Sequence, residues 1–177
     1  MMQALLGDRF KLAIHFETRQ VPVYALVLER PGKLGSRIQR HPADSPCSTA
    51  ASSETTIAGG FPETCGTLVG LPSPGAPGQM RLGARNVPMA TLASSFSVPY
   101  LTGVDRSILD KTRLAGKFDF TMEFTPAALP PEANFRPDPS GPTFLEALKD
   151  QLGLKLEPQT GPVDVLVIDR IEEPSPN

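Results

Sequence analysis

The sequence predicts an α+β fold, built from repeated helix–strand–turn–strand units whose helices pack on mainly antiparallel sheets. Three observations carry that prediction. Residues 140–174 read as a helix, a strand, a turn and a second strand, each with its own local signal. Residues 4–30 follow the same plan, and residues 86–125 follow it more loosely. Stretches rich in Gly and Pro separate these units.

The repeat is clearest in the second strands. PVYALVLER (22–30) lies over PVDVLVIDR (162–170) at an offset of 140, with five of nine residues identical. Upstream, DRFKLAI (8–14) lies over DQLGLKL (150–156) at an offset of 142, so the first copy has a turn two residues longer. Shared strand composition accounts for some β-branched matches. The common Pro, the common Arg and the order of elements favour an internal repeat. A unit of this kind cannot bury its apolar faces alone, so the copies are expected to pair.

Residues 1–6 read as the end of an amphipathic helix. Phe10, Leu12, Ile14 and Phe16 then alternate with Lys11, Ala13, His15 and Glu17, the period of a half-buried strand. Residues 19–21 turn the chain and residues 23–28 return as a buried strand, which completes a first unit over residues 1–30. Residues 31–85 read as a long loop with one short strand near residues 67–70. Fifteen of the fifty residues from 31 to 80 are Gly or Pro, and a structureless loop of that length is unusual in a compact domain.

In the second unit, residues 86–125, Met89, Leu92, Ala93 and Phe96 share a helical spacing. Asn86 is placed to cap that helix and Pro99 to end it. Residues 107–109 form a short strand and residues 110–116 a turn. Phe118, Phe120, Met122 and Phe124 alternate with Asp119, Thr121 and Glu123 in a strand with one strongly apolar face. Residues 126–139, with five prolines, are a linker.

The third unit, residues 140–174, opens with Ser140 as cap and Pro142 at the first helical position. Phe144, Leu145, Leu148 and Leu152 make the apolar stripe, and Glu146, Lys149 and Asp150 the solvated face. Gly153 sits where a left-handed C-terminal cap is wanted. Leu154 and Leu156 alternate with Lys155 and Glu157, and residues 158–162 are a turn cluster. Residues 163–168 are an almost unbroken apolar run, the mark of a strand covered on both faces, and Asp164 interrupts it, so the cover is expected to be incomplete at that end.

Composition removes several function classes. The 177 residues carry 17 Lys and Arg against 19 Asp and Glu, a net charge of −2, so there is no electrostatic footprint for nucleic acid. No apolar run approaches the ~20 residues needed to span a bilayer. Trp is absent, and no aromatic platform for stacking bases stands out. No HExxH, GxSxG, GxGxxG or phosphate-binding loop occurs. No catalytic, cofactor-binding or metal-ligating residue is therefore nominated.

His15, on the polar side of a strand, reads as a solvated or cross-strand residue, and His41 as a loop residue. Asp110 and Asp119 flank a turn near Lys111, where ion pairing is the expected role. Arg81, Arg85, Arg106 and Arg113 read as solvated surface, with an anion-binding patch the alternative. Cys47 and Cys65 both fall in the long loop, without CxxC spacing or a neighbouring His cluster. A disulfide is the simplest reading, and buried free thiols are the alternative. Such a bridge would contribute roughly 3 kcal/mol and imply an oxidising compartment.

Three blocks in order, LLGDRFKLAIHFETRQVPVYALVLE, DKTRLAGKFDFTMEF and DPSGPTFLEALKDQLGLKLEPQTGPVDVLVIDRIEEPSPN, resemble an uncharacterised paralogous family of soil acidobacteria of the Solibacter type, a domain of unknown function. The resemblance covers both ends of the chain and leaves residues 31–85 poorly constrained. It implies an extracytoplasmic protein, periplasmic or secreted. It also implies a signal peptide and further N-terminal residues ahead of Met1, so an incomplete N-terminus is expected. Some members bear the name BlaR-type antirepressor metallopeptidase, since the domain can follow such a membrane peptidase. This chain has no zinc motif, and the resemblance implies no catalytic residues. The family has Gly in the turn DKTGLTG where this chain has Arg113. If that position requires a positive φ, Arg is strained there by about 1 kcal/mol.

The expected function is a non-enzymatic, extracytoplasmic binding or interaction domain without cofactor, its partner an envelope protein or peptide. A sensor or regulatory module of a membrane metallopeptidase is one alternative. A hydrolase that gathers Asp, Arg or Ser groups by folding is another.

Overall fold

The computed structural model describes residues 6–7, 9–46, 57–58, 60–71, 73, 78–128 and 136–174. In chain order these hold β1 (Ala13–Leu28), β2 (Ile38–Arg40), β3 (Ile57–Ala58), β4 (Phe61–Pro62), β5 (Leu68–Leu71) and β6 (Met80–Pro88). Helices α1 (Met89–Ser95) and α2 (Pro99–Thr102) follow, then β7 (Ile108–Asp110), β8 (Lys117–Phe124), α3 (Phe144–Leu152) and β9 (Leu154–Arg170). The fold is α+β, with strand well in excess of helix. The chain divides into two compact units, one of Met1–Pro22 with Thr160–Asn177 and one of Val23–Gln159. Both β1 and β9 pass from one unit into the other.

The larger unit is organised by β8. It lies inside a four-stranded antiparallel sheet of order β2-β8-β6-β5. Its period-two pattern points Phe118, Phe120, Met122 and Phe124 to one side, and all four are fully buried. Phe96 and Phe144 meet edge to face at 5.0 Å between ring centres, and Phe144 meets Phe124 likewise at 5.4 Å. The face read as polar is covered too, because Asp119 and Thr121 are buried. Both neighbouring strands escaped the sequence reading. β2 pairs Ile38 with Phe120, and β6 pairs Leu82 with Met122. β6 (MRLGARNVP) is poor in β-branched residues, so its extended state is owed to pairing rather than propensity.

Several expected elements hold their places. α1, β5, β7 and β8 stand where the periodicities put them, and Gly153 ends α3 at φ 68°. The expected hairpin of residues 107–124 does not form. β7 pairs in parallel with the second half of β1, Tyr24 opposite Ile108, while β8 belongs to the other sheet. Residues 111–116 therefore cross between sheets. Arg113 in that crossover has φ 59°, the left-handed conformation its Gly counterpart would adopt without strain.

The caps differ from expectation. Asn86 does not cap α1: the N-cap is Pro88, without a side-chain bond. Asn86 instead stands at an irregularity between Ala84 and Val87, with φ 57°, a conformation Asn tolerates better than most residues. Thr143, not Ser140, caps α3 in a reciprocal capping box with Glu146. Ser140 turns back to donate to Asp138. Leu145, expected in the apolar stripe, is exposed, and Ala147 takes its place.

The far end of α3 is closed from a distance. The N–H groups of Gly35 and Arg37 donate to the carbonyls of Leu152 and Gln151 at 2.9 and 3.0 Å, satisfying acceptors the helix cannot satisfy itself. Contact is so close that a Cβ on Gly35 would stand 2.1 Å from the Gln151 carbonyl oxygen. The start of the stretch read as a loop is thus fixed structure.

The turns expected at residues 19–21 and 158–162 do not exist. β1 and β9 run continuously through them, for 16 and 17 residues. Pro22 and the Pro158 to Pro162 cluster explain the misreading. Proline punctuates most sequences as a turn, yet its fixed φ suits extended backbone at a sheet edge. The boundary between units falls at these same positions, after Pro22 and after Gln159. Of the first expected helix, Leu6, Gly7, Arg9 and Phe10 are helical, and residues 1–5 lie outside the described residues.

Candidate functional site

The smaller unit is a two-stranded ribbon formed by the first half of β1 and the second half of β9. Phe10 meets Glu172, His15 meets Asp169 and Thr18 meets Asp164, so the strands run antiparallel. The Thr18 hydroxyl donates to Asp164 at 2.7 Å, which places both side chains on one face. Alternation then puts Phe16, Leu166 and Ile168 on that face as well. All three are open to solvent, at 67%, 51% and 57% of their full exposure, and Ile171 just beyond β9 is 63% exposed. The run expected to be covered on both faces is therefore bare on one. Asp164 and Asp169 were the legible warnings, since a doubly covered strand does not carry two carboxylates in so short a span.

His15 and Asp169 lie on the opposite face, 2.9 Å apart, with Glu17 3.9 Å from the other ring nitrogen. The hydrogen bond to Asp169, helped by its charge, raises the His15 pKa above the ordinary 6.5. This is the cross-strand role expected of His15.

In the larger unit His41 and Asp119 form a buried pair at 2.7 Å, with side chains 7% and 2% exposed. The same Asp119 oxygen accepts the Asn86 N–H at 2.9 Å. His41 was read as a loop residue and Asp119 as a partner for Lys111. The partners are 78 residues apart in sequence, which no spacing rule reaches. Asp110 instead accepts from the N–H and hydroxyl of Thr112. Arg81 lies 3.6 Å from Glu123, Arg85 donates to Ser45, and Arg106 lies over the Tyr24 ring and beside Asp105. The contacts of these three arginines are thus separate, and the Nε atoms of Arg81 and Arg85 are buried without a hydrogen-bond partner among the described residues. A cavity of about 300 Å³ opens beside the C-terminus of α3, lined by Glu29, Arg30, Lys33, Lys149 and Asp150. Lys149 and Lys155 both approach Glu29, at 3.6 and 3.8 Å.

Against known families, the model described as "Protein of unknown function (DUF3738)" matches residues 1–171. The chain belongs to that family. No curated protein and no solved structure matches it. DUF3738 membership brings a family without an assigned function, so the chemistry must be read from the residues. His41 and Asp119 are packed away from solvent and hold β2 against β8. Among the described residues no three His, Cys, Asp or Glu side chains gather as a metal site. Among them, too, no helix is long and apolar enough to cross a membrane. Cys65 is described, but Cys47 lies outside the described residues, so their pairing is left to proposal. What the described surface offers most plainly is the bare apolar face of the ribbon.

Proposed function

We propose that this DUF3738 chain is a non-enzymatic interaction domain that works outside the cytoplasm, with the ribbon of β1 and β9 as its working surface. The exposed row Phe16, Leu166 and Ile168 carries this reading. Three large apolar side chains on one sheet face gain about 25 cal/mol per Å² when covered, and bare they favour association. β9 is also an edge strand among the described residues, with only β1 beside it. An unpaired edge accepts a strand from another polypeptide through its backbone groups. An extended segment of an envelope protein or peptide fits both features. The resemblance to exported acidobacterial proteins supports the compartment. A Cys47–Cys65 disulfide belongs to the same proposal and predicts a non-reduced mass about two protons below the reduced one.

A photo-reactive residue at Leu166 tests the reading in envelope preparations from the native host. It should yield a discrete cross-linked polypeptide. The same residue at Leu145, equally exposed on α3, should not. Absence of any product from position 166 would overturn the interaction reading. So would turnover of a hydrolase substrate by purified protein, if single substitutions abolished it.

A further inference from the structure

We infer that the strand added to β9 is the β9 of a second copy, antiparallel and centred on Val167, giving a two-fold dimer. The inference rests on the reading of the ribbon as the working surface and names its partner.

The edge itself selects the segment. Pro158 and Pro162 lack the N–H that an added strand needs, so strand addition is blunted before residue 163. Residues 163–171 contain no proline, which leaves a length typical of a strand.

Within that segment the sequence is close to its own antiparallel complement. With Val167 on the two-fold axis, Leu166 faces Ile168 of the second copy. Asp164 faces Arg170, and Val163 faces Ile171. Opposite residues in such pairs have Cβ atoms about 5 Å apart, close enough for apolar contact and for ion pairing. Asp164 and Leu166 are exposed, and the Arg170 side chain, which also pairs with Glu172 of its own chain, is 68% exposed. The remaining pair sets Val165 against Asp169, whose carboxylate is already held by His15 of its own chain. Neighbouring registers lose the Asp164–Arg170 pair, and two of them do worse. Moving the axis back by half a residue sets Asp164 against Asp169. Moving it forward by one sets Asp164 against Glu172. Both place carboxylate against carboxylate, which is destabilising.

The pairing also answers a stability problem. A two-stranded ribbon is marginal in water, and independent stability takes three or more strands with a hydrophobic face. Joining β9 to its copy makes four strands, β1-β9-β9-β1. The contact uses the same patch on both chains, so the symmetry closes at two and leaves no open fibre.

Sedimentation of the purified chain over a range of concentrations tests this directly. The wild type should pass from monomer to dimer. Asp164→Arg alone and Arg170→Asp alone each set like charges together twice, and each should raise the dimer Kd by roughly tenfold or more. An equimolar mixture of the two variants should dimerise, because each supplies the charge the other lacks. The double variant Asp164→Arg/Arg170→Asp should recover the wild-type Kd. Recovery in the mixture also shows that neither variant has merely unfolded. A wild type that stays monomeric overturns the inference, as does a dimer that both single variants leave unchanged. A monomer whose position 166 still cross-links to a different envelope protein would sink self-pairing alone and leave the interaction reading standing. A monomer with no cross-link would sink both.

Discussion

Leu26 and Leu166 occupy the same place in two stretches of similar sequence, and they meet opposite fates. Leu26, in PVYALVLER, is fully buried in the core of the larger unit. Leu166, in PVDVLVIDR, is 51% exposed on the ribbon of the smaller one. The difference lies in what packs on each strand. Val23 to Leu28 has β7 beside it and the core cluster against it. Residues 163–168 have β1 alone among the described residues. An apolar run thus does not by itself record whether its own chain covers the strand.

The largest expected effect tests that contrast. Leu26→Ala should cost about 2–5 kcal/mol, as large-to-small changes in cores do. Leu166→Ala in dilute protein should stay within about 0.5 kcal/mol. Urea denaturation of both variants decides it, and equal losses would erase the distinction between the two strands. Next in size, Gly35→Ala should cost roughly 1–3 kcal/mol by forcing the segment before β2 away from α3. Its urea midpoint should fall, whereas a comparable change at Gly70, where nothing lies within 4 Å, should move it less.

A smaller change should run the other way. Arg113→Gly removes left-handed strain from an exposed residue and should stabilise the larger unit by about 1 kcal/mol. A lower urea midpoint would mean that the Arg113 side chain does more in the folded state than its backbone strain costs. The smallest effect belongs to the ribbon. Because pairing with Asp169 raises the His15 pKa, its stabilisation is complete below the unfolded value of 6.5 and is lost as pH climbs through the folded one. Amide protection factors along residues 14–18 and 165–169 should therefore fall with rising pH, and Asp169→Asn should flatten that dependence.

These contrasts mark how far local reading reaches. Gly153 as a left-handed cap, the α1 stripe and the limits of β8 were legible because the cause of each lies within a few residues. The left-handed Arg113 turn was anticipated only through the Gly that the family resemblance implies there. Proline misled twice, at Pro22 and at Pro158 to Pro162, because the same fixed φ serves a turn and an extended edge. β2 and β6 were invisible because β8 makes them strands, and β8 is remote in sequence from β2. The His41–Asp119 pair was hidden for the same reason. At the proposed interface the residues themselves were seen, and only their exposure was not.

The closure of α3 by Gly35 and Arg37 has a consequence in time. Those N–H donors leave the ribosome more than a hundred residues before the carbonyls they serve. At ~5–20 residues per second the wait is on the order of ten seconds. Through that interval the segment beginning at Val23 holds its apolar strand without the helix end that later anchors it. Long-range closure of this kind slows folding and prolongs exposure to aggregation. Until that closure the apolar strand stands open to wrong contacts, well before any partner meets the finished fold.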